Sequence, residues 1–253
     1  MKRAVMVLSA GLCLLAGCTT TDSQRSKQPE RAAELNLELG IDALRKGNLQ
    51  QAKDKIDRAL DQNPRYGRAH AIAGMLYERL GETNKADSHF QRAVSLDPDN
   101  PEIKNNYAAY LCQKDRFERG EKLALEAAAN PLYKTPEIAL LNAGNCARSA
   151  GDLKRAEDSY RRALGIRPRF GEALLQMADL EYRQTEYMSA RAFLERHLAI
   201  ARATPVTLWL GVRIERGLGN KAQAQQYEQR LKSEYPTASQ TKELLLESER
   251  NPG

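Results

Sequence analysis

Small and apolar residues recur along the chain at a long, fixed spacing. Gly40 and Gly74 lie 34 residues apart, as do Ala52 and Ala86, Ala59 and Ala93, and Pro64 and Pro98. Ala108, Gly120 and Ala127 keep the phase. Two further residues then enter, and Gly144, Ala156, Tyr160, Ala163 and Pro168 repeat the pattern. A fifth copy carries Ala178, Ala190 and Leu194, and a sixth Leu208, Ala224, Leu231 and Pro236. A period of this length predicts antiparallel helix pairs that stack, because one pair alone cannot bury its apolar face. Small residues such as Gly74 on the first helix and Ala86 on the second let the two backbones approach. Phe90 and Tyr160 fill the gap beside them, and the prolines close the second helix of a unit.

Turn chemistry agrees independently. Gly47-Asn48, Gly81, Gly151-Asp152 and Gly219-Asn220 fall at one place in their units, where glycine ends a helix and the next residue caps another. Asn100-Pro101-Glu102, Thr135-Pro136-Glu137 and Thr204-Pro205 supply N-cap and first-turn residues where new units start. The predicted units are 33–66, 67–100, 101–136, 137–170, 171–204 and 205–238, and residues 239–253 are the tail. Within that tail, Lys242 to Arg250 predicts an amphipathic helix that lids the last unit. The pattern resembles the tetratricopeptide repeat family. That resemblance implies an all-α fold, a right-handed superhelix of helix-turn-helix repeats with a C-terminal capping helix. Units five and six depart from the family pattern, with His197 where alanine is usual and Glu228 where an aromatic is usual.

The N-terminus is of another kind. Lys2 and Arg3 precede an unbroken run of apolar and small residues, Ala4 to Leu15, too short to span a bilayer. The run ends in Leu15-Ala16-Gly17-Cys18, which resembles the lipobox of bacterial lipoproteins. The resemblance implies that residues 1–17 are removed and that the Cys18 thiol is acylated. Thr19 follows, where members held at the inner membrane commonly carry Asp, so the resemblance implies a lipid anchor on the periplasmic face of the outer membrane. Residues 18–32 lack apolar periodicity and are expected to form a flexible tether.

Composition excludes more than it assigns. Apolar residues make up 42% and charged residues 28%, a globular balance. The net charge of +6 is mild, and cleavage after Gly17 lowers it to +4 by removing Lys2 and Arg3. With export to the periplasm, no nucleic-acid partner is expected. His70, His89 and His197 are the only histidines, and His70 and His197 fall on core-facing positions. No HExxH, paired Cys-x-x-Cys or Gly-x-Ser-x-Gly occurs. The string Gly217-Leu218-Gly219-Asn220-Lys221 follows a helix and lacks the third glycine of a phosphate loop. The expectation is a non-catalytic chain without metal, cofactor or small-molecule substrate. Cys13 leaves with the leader. Cys112 and Cys146, on first helices of neighbouring units, are either a disulfide favoured by the oxidising periplasm or two buried thiols.

First helices of such arrays line an inner groove that holds peptides. Its predicted positions are Leu37, Ile41, Leu44 and Arg45 in unit one and Ala71, Met75 and Arg79 in unit two. Asn105 and Ala109 follow, then Leu141, Asn145 and Arg148, then Asp179 and Tyr182. The apolar first unit, extended by Met75, marks a partner site, with arginines placed to grip carboxylates.

Lipobox, repeats from residue 33, the insertion between Pro131 and Pro136 and the Cys112/Cys146 pair together resemble the type IV pilus biogenesis lipoproteins called pilotins. The resemblance implies binding of secretin subunits and help with their outer-membrane localisation and multimerisation. The residues alone also fit another periplasmic repeat lipoprotein adaptor, such as a β-barrel assembly accessory or a peptidoglycan synthase regulator.

Overall fold

The computed structural model describes residues 21–250. The leader 1–17 and Cys18 lie outside the described residues. Thirteen helices and no strand are present among the described residues. The first six units pair α1 (Thr21–Arg45) with α2 (Leu49–Gln62), α3 (Gly67–Arg79) with α4 (Thr83–Leu96), and α5 (Pro101–Gln113) with α6 (Phe117–Ala129). They continue with α7 (Pro136–Ser149) and α8 (Leu153–Ile166), α9 (Gly171–Arg183) and α10 (Tyr187–Leu198), and α11 (Pro205–Gly217) and α12 (Lys221–Glu234). The last helix, α13 (Ser239–Arg250), packs on α11 and α12 and buries Leu244 and Thr241 against the end of the stack. None of these helices is long and apolar enough to cross a membrane.

Within a unit, the two helices meet at residues sixteen apart, one small and one filling. A Cβ on Gly40 would fall 2.8 Å from Ile56 Cγ1, and one on Gly74 would fall 2.8 Å from the Phe90 ring. Gly144 stands tighter still against the Tyr160 ring, and a Cβ on Gly211 would fall 3.0 Å from the Tyr227 ring. The sixth unit therefore has its aromatic, at Tyr227 and not at Glu228. Gly211 and Tyr227 each stand one place earlier in their helices than Gly74 and Phe90, so the contact survives a shift of both partners. In unit three the corresponding pair is Ala108 and Ala124, both fully buried with Ala143. Next to it, Gly120 faces the sulfurs of Cys112 and Cys146, which the structure joins as a disulfide between α5 and α7 with Cα atoms 5.3 Å apart.

The turn inside every unit has one residue in the left-handed region. Glycine serves at 47, 81, 151 and 219, with φ between 72° and 86°. Units three and five use Asp115 at φ 58° and Thr185 at φ 63° in the same place. Asp tolerates this conformation, whereas β-branched Thr185 is strained there. First helices are started by Asn100, whose side chain accepts from the Glu102 and Ile103 amides, and by a reciprocal capping box between Thr204 and Thr207.

The expected tether of residues 18–32 is helical from Thr21 onward, as the first part of α1. Among the residues whose burial is described, Ala33 is the first buried one, four places after Pro29. Residues 28–31 are all exposed, so the missing apolar periodicity there reports the lack of a packing face, not the lack of helix.

A test of the close approach is Gly144→Ala. Its methyl would meet the Tyr160 ring, and overpacking of this kind costs about 1–3 kcal/mol. A gain in helix propensity of about 1 kcal/mol opposes that. The urea midpoint is expected to fall in Gly144→Ala and to recover in Gly144→Ala combined with Tyr160→Leu, which returns the space.

Candidate partner-binding groove

Helices α1, α3 and α5 lie side by side on the concave side of the first three units. Ile41, Leu44 and Arg45 from α1, Ala71, Ile72, Met75 and Arg79 from α3, and Ile103 and Asn106 from α5 line a cavity of about 340 Å³. Its far wall is the loop between α6 and α7, through Tyr133 and Thr135. This is the segment lengthened by two residues, and it packs Tyr133 against Ala127 and Ala139. Burial holds the Tyr133 phenol above its ordinary range. A second opening runs on from Met75, Arg79 and Asn106 toward Ala109 and Gln113.

The structure brings together six of the seven groove residues expected from sequence: Ile41, Leu44, Arg45, Ala71, Met75 and Arg79. Leu37 does not belong with them. It is 0% exposed and packs in the core with Ala52, Ile56, Ala59 and Ala73. The reason is helical phase: Leu37, Gly40 and Leu44 share the side of α1 turned to α2, and Ile41 lies on the neighbouring side. Leu44 and Ala71 contribute only an edge to the cavity, being almost fully buried. In unit three, Asn106 lines the groove, whereas Asn105 is buried and accepts from Asn142 at 2.9 Å. Asn145 likewise points between helices, accepting from the Tyr160 hydroxyl at 2.8 Å.

The charged rim is unevenly satisfied. Arg68 pairs with Glu38 at 2.7 Å across α1 and α3. Arg79 donates to the Leu44 carbonyl at 2.7 Å, covering the C-terminal end of α1, and has no ion pair among the described residues. Arg45 is exposed and also has none. An apolar strip of Ile41, Ile72 and Met75 flanked by the Arg45 and Arg79 guanidiniums, with Glu102 also in the lining, suits an apolar peptide that carries carboxylate.

Two apolar residues of α1 escaped the sequence reading. Leu35 is 68% exposed and Leu39 52%. Their counterparts one period on, Ala69 and Ala73, are fully buried against the preceding unit. Among the described residues no helix pair packs on that side of α1, whereas α13 packs on α11 and α12 at the other end. The signal was available as leucine at positions where the second unit has alanine.

The histidines are accounted for by contacts. His197 is buried with Nδ1 2.9 Å from the Gly171 carbonyl. His70 and His89 meet between α3 and α4, Nδ1 to Nδ1 at 3.0 Å, with His89 stacked on Tyr77 and His70 Nε2 3.1 Å from the Pro64 carbonyl. No group of three or more metal-ligating side chains occurs among the described residues.

An array of stacked helix pairs with one face open and lined is a repeat scaffold. The chain belongs to the tetratricopeptide repeat family, which residues 37–101, 108–169 and 141–205 match. Over nearly its whole length it is similar to the type IV pilus assembly protein PilF of Pseudomonas aeruginosa. The two are 27% identical over 247 residues, covering 96% of this chain and 97% of that one. The crystal structure of PilW, a widely conserved type IV pilus biogenesis factor, superposes with a TM-score of 0.80 at 28% identity, covering 84% of this chain and 98% of that one. The solved structure of Pseudomonas aeruginosa PilF gives 0.78 at 26% identity, covering 87% and 99%.

The His70/His89 contact predicts acid sensitivity. Burial lowers both imidazole pKa values from their ordinary range, and His70 lowers that of His89 further, against an opposing pull from Asp57. Arg92 acts on His70, and Lys85 on His89, in the same lowering direction. The unfolded chain then binds protons first, so stability present at neutral pH is lost as pH falls below about 6.5. Urea midpoints at pH 7.2 and 5.5 are expected to show this loss, and His70→Gln with His89→Gln to flatten it. The raised carboxyls of Glu78, Glu121 and Glu181 act in the opposite sense, nearer pH 4.5.

Proposed function

We propose that this chain is an outer-membrane lipoprotein that acts as a pilotin in type IV pilus biogenesis. In this reading it binds secretin subunits, carries them to the outer membrane and promotes their multimerisation. The observation that carries the proposal is the similarity to PilF over 96% of this chain and 97% of that one, since it spans the whole array and not an isolated repeat. The lipobox at Cys18 supports the anchor, and the groove of units one and two supports the grip on a partner.

The mechanism joins those two features. Acyl chains on Cys18 each contribute about 0.8 kcal/mol per buried CH₂, so several chains hold the protein at the membrane. The apolar strip of Ile41, Ile72 and Met75 holds a secretin segment, and Arg45 and Arg79 face its carboxylates. The membrane address of the scaffold thereby passes to its cargo. Confinement raises the effective concentration of bound subunits and favours closure of the secretin ring. No step of this scheme makes or breaks a covalent bond in the partner, so the chain works as a scaffold and not as an enzyme.

The test is Ile41→Asp with Met75→Asp. Both side chains are only half-buried, so the fold is expected to persist, as circular dichroism would check. Secretin binding is expected to weaken at least tenfold, with loss of secretin multimers and surface pili. Undiminished multimers and pili in that variant would contradict the groove assignment. A Cys18→Ala chain is expected to leave the membrane fraction and to strand the secretin with it.

A further inference from the structure

The loops that join one unit to the next lie along one edge of the array, where the first helices begin. Hydrogen bonds stitch neighbouring parts of that edge together. Asn130 Nδ2 donates to the Asp99 carbonyl at 3.1 Å, Arg196 Nη2 to the Pro168 carbonyl at 3.1 Å, and the Tyr235 hydroxyl to the Ala203 carbonyl at 2.6 Å. Helix α1 begins beyond the same edge. Its packed part starts at Ala33, alongside the end of α2, where Asn36 donates to Gln62 at 3.0 Å. Thr21 lies twelve residues further out, about 18 Å along a helix axis. Cys18 precedes Thr21 by three residues in sequence, so the proposed lipid anchor reaches the array through this edge.

Three successive loops of this edge share a composition. The loop between α6 and α7 carries Leu132, 84% exposed, beside Lys134. The loop between α8 and α9 follows Ile166, 51% exposed, and carries Arg167 and Arg169. The loop between α10 and α11 carries Arg202 and leads into Val206, 54% exposed. No Asp or Glu occurs in residues 130–135, 167–170 or 199–204. The loop between α4 and α5, by contrast, is acidic through Asp97 and Asp99. Glu137 holds Arg167 at 3.2 Å, but Lys134, Arg169 and Arg202 have no ion pair among the described residues. In the adjoining helix turns Glu172 and Glu195 are exposed, as is Arg196. Neither packing nor pairing within the chain accounts for an apolar side chain and a free cation at each of three neighbouring points. A surface of anionic headgroups over acyl chains satisfies both.

We infer that this edge rests on the membrane: Lys134, Arg169 and Arg202 meet the phosphates of anionic phospholipid, and Leu132, Ile166 and Val206 sit among the headgroups. The inference rests on the lipid anchor proposed above, which brings the edge to the bilayer. Pro29, inside α1, has no N–H to give to the helix ladder, so the arm between anchor and array can bend there and let the edge close on the surface. The acyl chains hold the protein and the edge orients it. With the starts of the first helices toward lipid, the concave side opens along the membrane and not into it. Without acyl chains the edge makes a weak contact that salt screens.

Flotation of the lipid-free mature chain with vesicles tests this apart from the anchor. The probe is vesicles of phosphatidylglycerol mixed with phosphatidylethanolamine, compared with vesicles of phosphatidylcholine alone, in low salt. The anionic vesicles are expected to carry the chain up, the zwitterionic ones at least fivefold less, and added salt to release it. Arg169→Glu with Arg202→Glu, and separately Leu132→Ser with Ile166→Ser, are each expected to cut flotation at least fivefold. All four side chains are exposed, so the fold is expected to persist, as circular dichroism would check. Lys154→Glu with Lys221→Glu makes the same charge change at exposed positions on the opposite edge, and is expected to leave flotation unchanged. Equal flotation with the two kinds of vesicle, or equal loss in the two Glu pairs, would overturn the inference. A chain that floats when acylated at Cys18 but never when lipid-free would overturn it too, and would leave the anchor standing.

Discussion

The contact between a small residue on the first helix of a unit and a filling residue sixteen positions later underlies the rest of the architecture. Gly40 against Ile56, Gly74 against Phe90, Gly144 against Tyr160 and Gly211 against Tyr227 hold each pair at close range. That range and the left-handed turn residue between the helices leave one geometry per unit, repeated along the chain. Repetition turns first helices to one side, so α1, α3 and α5 present a shared wall and α7, α9 and α11 another. In unit three both positions are alanine, Ala108 and Ala124, and there the Cys112–Cys146 disulfide ties its first helix to that of unit four.

Stacking buries every internal face but leaves two ends, and the chain treats them differently. At the C-terminal end α13 lays Leu244 over α11 and α12, while Arg216 bridges Glu228 at 2.9 Å and Glu247 at 2.7 Å. At the N-terminal end Leu35 and Leu39 stand in the open on the same helix that supplies Ile41 to the groove. Unit one thus carries exposed apolar residues beside the groove that it helps to line.

The fold was largely legible because glycine, alanine and proline at a 34-residue period report backbone proximity directly. Helix starts at Gly67, Pro101, Pro136, Gly171 and Pro205 fall within one residue of the predicted unit boundaries. Asp115 and Thr185 were missed as turn residues because only glycine announces a positive φ by its type. Tyr227 was missed because both partners of the Gly211 contact had moved one place together, which a fixed count from Ala224 cannot register. The groove was harder to read. Leu37 and Ile41 are equally apolar, and only the rotation of α1 about its axis separates a core residue from a lining one. Tyr133 reached the groove through a loop, where periodicity carries no information.

The central claim is that the chain holds a partner on the concave side of its first units. Hydrogen–deuterium exchange of the lipid-free mature chain, with and without purified secretin subunit, tests it most directly. The account predicts that added secretin slows exchange in α1, α3 and the loop between α6 and α7, and leaves α4 and α8 unchanged. Protection confined to second helices such as α4 and α8, or no protection under conditions where the two proteins co-purify, would contradict it.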